Sequence, residues 1–146
     1  MTIQLAITDE EIRACFPVMA QLRPHLAAEE FVPRVRRQQG AGYRLAFIEE
    51  TGRVVAVAGY RVLENLAWGR FLYVDDLVTD GEARSRGHGE ALFAWLVEEA
   101  GRNGCDELHL DSGVQRFAAH RFYLRQRMEI TSHHFAMKLG KVDSGR

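Results

Sequence analysis

The chain of 146 residues is short of most features that would identify it at a glance. It has two cysteines, Cys15 and Cys105, which form no CxxC pair and no crosslinking framework. A reducing cytoplasm suits them best. There is no basic excess: 19 Lys and Arg stand against 20 Asp and Glu, for a formal net charge of −1. That argues against nucleic acid or an anionic membrane as partner. No apolar run approaches the ~18 residues of a membrane span. The opening "MTIQLAITDEEIRACF" lacks the cationic-then-apolar order of a signal peptide. Internal repeats and low-complexity segments are missing too. Six histidines are present, yet there is no HExxH and no cysteine cluster. His133 and His134 are neighbours on an expected strand and diverge, while His109 and His120 fall on different elements. No metal site is expected.

What remains is an ordinary globule, 47% apolar and 27% charged, with a prior of one domain. "IQLAIT" alternates as a short strand. Thr8 and Asp9 offer a helix cap with Glu11 near the third position, and Ile12, Phe16, Met19, Ala20 and Leu22 follow at helical spacing up to Pro24. A second amphipathic helix is expected from about residue 27 to 39, carrying Phe31 and Val35, kinked or split by Pro33. "YRLAFIEE" and "RVVAVAGYRVL" flank the tight turn "ETGR" as a hairpin, and "WGRFLYVDDLVTD" is the next strand. Residues 87–103 are helical, with Leu92, Trp95, Leu96 and Ala100 on one face. "DELHLDS" is a strand, "RFAAHRFYLRQR" a helix with Phe117, Ala118 and Phe122 on one face, and "EITSHHFAMKL" a final strand or pair of strands. One strand–helix–strand crossover spans residues 71–112. The order predicts an α/β (α+β mixed) fold whose sheet is mostly antiparallel with one parallel crossover.

The stretch "VTDGEARSRGHGEALFAWL", residues 78–96, is a poor start for a helix. Gly87 and Gly89 stand where Ser, Asp or Asn would cap better. A helix start offers unpaired N–H groups, the glycines let a ligand approach the backbone, and Arg84 and Arg86 add positive charge. The stretch reads either as an anion site, most naturally for phosphate or pyrophosphate, or as a Gly-rich turn beside two solvated arginines. It is no P-loop, since His88 follows Gly87. It is no GxGxxG, since Leu92 stands at the third Gly. "ARSRG" approximates a nucleophile elbow around Ser85, but no Asp-then-His pair follows at convincing spacing.

Arg84, Gly87 and Gly89 form R-x-x-G-x-G, which resembles the acyl-CoA pyrophosphate loop of the GNAT superfamily of N-acyltransferases. "YVDDLVTD" before it resembles that family's fourth strand, and "AHRFYLRQRM" its later A-x-x-F-Y helix. The likeness covers about residues 3–140. Four positions depart from it, among them Gly81 in place of a frequent Pro before the loop and Met128 in place of an aromatic. Ser85 replaces a common loop Gly, and Arg127 replaces the Gly of the turn that ends the Tyr-bearing helix. The resemblance implies a GNAT-like fold with a central mixed sheet of about six to seven strands and about four helices. It implies a single domain over residues 1–140 with a flexible tail, 141–146.

It also implies direct acetyl transfer from acetyl-CoA to an amine, with no metal. Backbone groups of Ser85, Arg86, Gly87, His88, Gly89 and Glu90 would hold the pyrophosphate, with Arg84 and Arg86 assisting. Leu77, Val78 and Thr79 would run beside the pantetheine like an added strand, next to a bulge. Tyr123 would protonate the departing sulfur. Asp75 or Asp76 would act on the amine, through water or by attraction, and because the two are adjacent on a strand only one should face the cleft. His120 could orient the Tyr or be a satisfied surface residue; Trp68 could pack or reach the cleft. The acceptor side would be built from residues 9–40 and the last strands. A small-molecule amine is favoured over a protein tail because no strongly acidic patch is visible. Three alternatives are a protein N-acetyltransferase, a non-catalytic acyl-CoA-binding module, and a phosphate-binding protein unrelated to CoA. A homodimer is the family's habit.

Overall fold

Thr8 fixes where the first helix begins. Its hydroxyl accepts from the Glu11 N–H (3.1 Å), and the Glu11 carboxylate accepts from the N–H groups of Thr8 (2.9 Å) and Ile7 (3.0 Å), closing a capping box. In the computed structural model, which describes residues 2–140, helix α1 is Asp9–Leu22 and α2 is Ala28–Gln39. Pro17 lies inside α1 and Pro33 inside α2. Each removes one backbone donor, yet neither splits its helix. The buried stripes Ile12, Cys15, Val18 and Met19, and Phe31 and Val35, hold both against the sheet.

The sheet has the order β1-β2-β3-β4-β5: Thr2–Leu5, Arg44–Glu50, Arg53–Asn65, Gly69–Thr79 and Glu107–Leu110. All pairs are antiparallel except β4–β5, which is parallel. Helix α3, His88–Arg102, makes that crossover after a single 3-10 turn, Gly81–Ala83. The "ETGR" hairpin forms as expected, with positive φ at Thr51 (49°) and Gly52 (76°). One face of the sheet packs Leu45, Phe47 and Val57 against α1 and α2. The other packs Ala58, Tyr60, Leu72 and Val74 against Leu92 and Leu96 of α3. No described helix is long and apolar enough to cross a membrane.

By its internal contacts the chain forms two compact units, one ending at Leu110 and one beginning at Asp111. The second contains α4, Phe117–Arg125. Its apolar residues do not form the buried stripe expected of them: α4 has no buried residue, and Phe117 is exposed. Arg127 nonetheless ends α4 as a Gly would, at φ 67°. Its N–H donates to the Leu124 carbonyl (3.0 Å) and that of Met128 to the Tyr123 carbonyl (3.1 Å), the paired bonds of a left-handed helix stop.

The expected final strand does not form. Residues 128–140 have no regular secondary structure, and Phe135, Met137 and Leu139 are 84% or more exposed. Their alternation suits a strand, but a strand exists only by ladder pairing, and among the described residues no strand pairs with this one. The sheet therefore has five strands among the described residues, not six to seven. The expected tail, 141–146, lies outside the described residues.

Candidate active site

Strand β4 carries the site because its register breaks. Gly59 of β3 faces Asp76, and the next residue, Tyr60, faces Val74. Asp75 has no partner across the ladder, so β4 bulges there. A bulge resets the alternation of side chains, and this corrects the expectation that only one carboxylate faces the cleft. Asp75 and Asp76 both line a cavity of about 340 Å³ between β4, α1 and α2, together with Arg23, His25, Phe31, Arg34, Gln38, Tyr43 and Tyr73.

The two acids are held differently. Asp76 accepts from Arg23 Nε (2.9 Å) through Oδ1 and from the Tyr43 hydroxyl (2.8 Å) through Oδ2. Asp75 Oδ2 accepts from Arg61 Nε (2.9 Å), and Arg61 also donates to Gln38 Oε1 (2.7 Å). Asp75 Oδ1 is buried with no hydrogen-bond partner. Burial holds the Asp75 carboxyl above its ordinary pKa, opposed by Arg61 and reinforced by Asp76. Burial, with Asp76 beside it, keeps the Tyr43 hydroxyl well above its ordinary value, so Tyr43 donates as a neutral phenol. Gly59 makes room for this arrangement. A Cβ there would run into the Tyr43 ring and come 2.6 Å from Asp76 Oδ2.

Beyond the bulge β4 outruns its neighbour. The last β4–β5 pair is Val74 with Leu110, so no described strand pairs with residues 75–79 on that side. On the other side Leu77, Val78 and Thr79 stay paired to Ala58, Val57 and Ala56. Leu77 packs toward α3 and Val78 toward α1 and α2.

The strand then enters the start of α3. Asp80 pairs with Arg53 (3.1 Å) and accepts from Gln21 Nε2 (3.1 Å) and the Glu82 N–H (3.1 Å), and these hydrogen bonds, that of Gln21 first, hold its carboxyl below the usual range. Gly87, at φ 80°, is the N-cap and supplies no side chain. The first bond of the helix runs from the Ala91 N–H to the Gly87 carbonyl (3.0 Å), leaving the N–H groups of His88, Gly89 and Glu90 without helical partners. Ser85 turns the chain at φ 67°. Arg84 and Arg86 are exposed; Arg86 lies 3.8 Å from Glu50, and Arg84 has no ion pair among the described residues. His88 points its ring inward, with Nε2 3.3 Å from Glu50, so only its backbone faces the loop. Uncapped donors, a Gly at the approach and free guanidinium charge are the chemistry a pyrophosphate needs, and these residues fit acetyl-CoA.

Tyr123 stands on α4 in the second unit, half-buried. Burial raises its pKa and Arg116 opposes the shift, so its hydroxyl keeps its proton at neutral pH. His120 Nε2 lies 2.7 Å from the Gly113 carbonyl, a satisfied histidine. Trp68 packs on the His109 ring (3.6 Å between centroids) and Trp95 against Tyr60 (5.8 Å). No hydrogen bond from His or acid reaches Ser85 among the described residues. No described group of His, Cys, Asp and Glu is arranged for a metal ion. The sequence singled out neither Arg23, Tyr43 nor Arg61. The one signal was Gly59 inside an apolar run, a mark of close approach in a strand.

A sequence model described as the Acetyltransferase (GNAT) family matches residues 6–127. A Bacillus subtilis (strain 168) protein named "Uncharacterized N-acetyltransferase YhdJ" is 33% identical over 115 residues, 78% of this chain and 81% of that protein. The Aminoalkylphosphonate N-acetyltransferase of Salmonella typhimurium is 33% identical over 85 residues, 58% of this chain and 54% of that protein. In fold, AAC(6')-Iy in complex with a bisubstrate analogue of CoA superposes with a TM-score of 0.83 at 12% identity, covering 95% of this chain and 97% of that one.

Proposed function

The chain belongs to the GNAT acetyltransferase family, whose members are acetyl-CoA-dependent N-acyltransferases, and from that premise we propose that it acetylates the primary amine of a small molecule directly from acetyl-CoA. One continuous stretch carries the reading. Residues 75–90 run from a bulge bearing two carboxylates, along an unpaired strand edge, into a helix start with open donors. Support for a small acceptor comes from the size of the cleft and from the name of the Salmonella relative.

Bound acetyl-CoA supplies an activated acyl group. The N–H groups of residues 85–90 bind its pyrophosphate, with Arg84 adding charge. The edge of Leu77, Val78 and Thr79 aligns the pantetheine arm. Asp76 is fully occupied by Arg23 and Tyr43, so it braces the cleft. Asp75, with one oxygen free and a raised pKa, is the group that takes a proton from the amine, directly or through water. Tyr123 Oη gives the proton that the departing sulfur needs.

Thiol release from acetyl-CoA with a panel of amines tests this. Asp75→Asn and Tyr123→Phe should each lower kcat by roughly tenfold to hundredfold or more while acetyl-CoA still raises the melting temperature. Asp76→Asn should instead lose stability, on the order of 1–3 kcal/mol, because it disturbs the buried bonds of Tyr43 and Arg23. Failure of acetyl-CoA to raise the melting temperature overturns the proposal. A thermal shift without turnover on any amine marks a binding module instead.

A further inference from the structure

Building on the reading of this cleft as the amine site, we propose that the acceptor is zwitterionic, a small primary amine bearing a carboxylate or phosphonate a few bonds away, and that Arg34 holds the anionic group. The argument is a charge balance. Asp76 is matched by Arg23 at 2.9 Å and Asp75 by Arg61 at 2.9 Å. Arg34 is left over. It is half-buried in the wall of the cavity and has no ion pair or hydrogen bond among the described residues.

A partly desolvated guanidinium without a partner is costly, and partners were within reach of the sequence. Glu30 stands four residues earlier on the same helix, the spacing at which helical ion pairs form, yet the two do not pair. On the same helix Arg36 does find a partner, Asp9, at 2.7 Å. Arg34 thus faces the cavity with its donors free. His25 joins it there, exposed and likewise without a partner. Asp75, whose buried Oδ1 has no hydrogen-bond partner, lines the same cavity. One carboxylate with an unmatched oxygen and one unmatched planar cation lining a cavity of about 340 Å³ complement a molecule with an amine at one end and an anion at the other. The guanidinium fork suits carboxylate and phosphonate oxygens alike.

The test compares kcat/KM for amino-alkyl carboxylates, amino-alkyl phosphonates and alkylamines of matched length, read as thiol release from acetyl-CoA. The anion-bearing amines should be favoured by roughly tenfold or more, and the better of the two series identifies the anion. Arg34→Ala should collapse the preference by raising KM with kcat little changed, and Arg34→Lys should restore part of it. Arg13→Ala, on the exposed side of α1, should leave it intact. Plain alkylamines used as well as the anionic series, or a preference that survives Arg34→Ala, overturns the inference while leaving amine acetylation standing. Transfer to no amine at all overturns the functional reading and this inference with it.

Discussion

Besides Thr51 in the hairpin turn, two of the described residues adopt backbone conformations that suit glycine better. Ser85 and Arg127 both sit near φ 67°, where an L side chain costs on the order of 1 kcal/mol. Both are positions at which the sequence departs from the glycine of the family pattern, and in both the turn is made regardless. The departures were visible in the sequence; that the backbone would not yield to them was not, because the flanking bonds decide it. Met128 and Arg127 close the end of α4, and Asp80 with Gln21 anchors the entry to the loop of Ser85. Ser85→Gly and Arg127→Gly should each raise stability by about 0.5–1 kcal/mol, seen as a melting point a few degrees higher. Ser85→Gly should keep acetyl-CoA binding, since the proposed contact is a backbone N–H. Weaker binding would assign the phosphate contact to the hydroxyl instead.

At the scale of elements, what could be read locally was read, and what depends on a partner strand was not. The "ETGR" hairpin follows from turn chemistry within four residues. The capping box at Thr8 is equally local. The bulge is different, because the alternation of β4 gives no sign that Tyr60 will face Val74 while Gly59 faces Asp76. The reading that separated Asp75 from Asp76 applied a period of two across a point where that period restarts. The segment at 128–140 fails the other way: its pattern fits a strand, but no neighbour pairs with it. Gly59→Ala tests how far the bulge depends on its partner. The added methyl has no space beside Tyr43 and Asp76. A loss of about 1–3 kcal/mol or more in denaturant melts is expected, with a further fall in kcat as the two carboxylates shift. A variant as stable and active as the parent would show that the cleft adjusts freely.

At the scale of the whole molecule, the fold class was readable because it rests on the count and order of elements, and the sheet order follows that reading. The packing between layers was not, since Arg23 just past α1, Tyr43 just ahead of β2 and Arg61 of β3 reach the site from points far apart in the chain. The sheet has a core on each face, and the two cysteines report on them differently. Cys15 is fully buried under α1, and burial pushes its thiol up to about 12. Cys105 is half-buried at the edge of the α3 side, its thiol also raised by burial. An aromatic disulfide reagent at mildly alkaline pH should modify Cys105 first. Cys15 should follow only as the core opens, at a rate that tracks unfolding in denaturant. Equal rates in native buffer would mean that α1 lifts from the sheet on its own.

The bulge also sets what β4 tolerates by insertion or deletion. Elsewhere along this strand, losing one residue turns every later side chain to the opposite face of the sheet. At Asp75 the arithmetic reverses. Its neighbours Val74 and Asp76 already face consecutive residues of β3, so a deletion there leaves the rest of the strand in register. Strand β4 would still pair with β3, and both layers would keep their residues. The carboxylate assigned to the amine is therefore the one residue of β4 that the sheet has no need of.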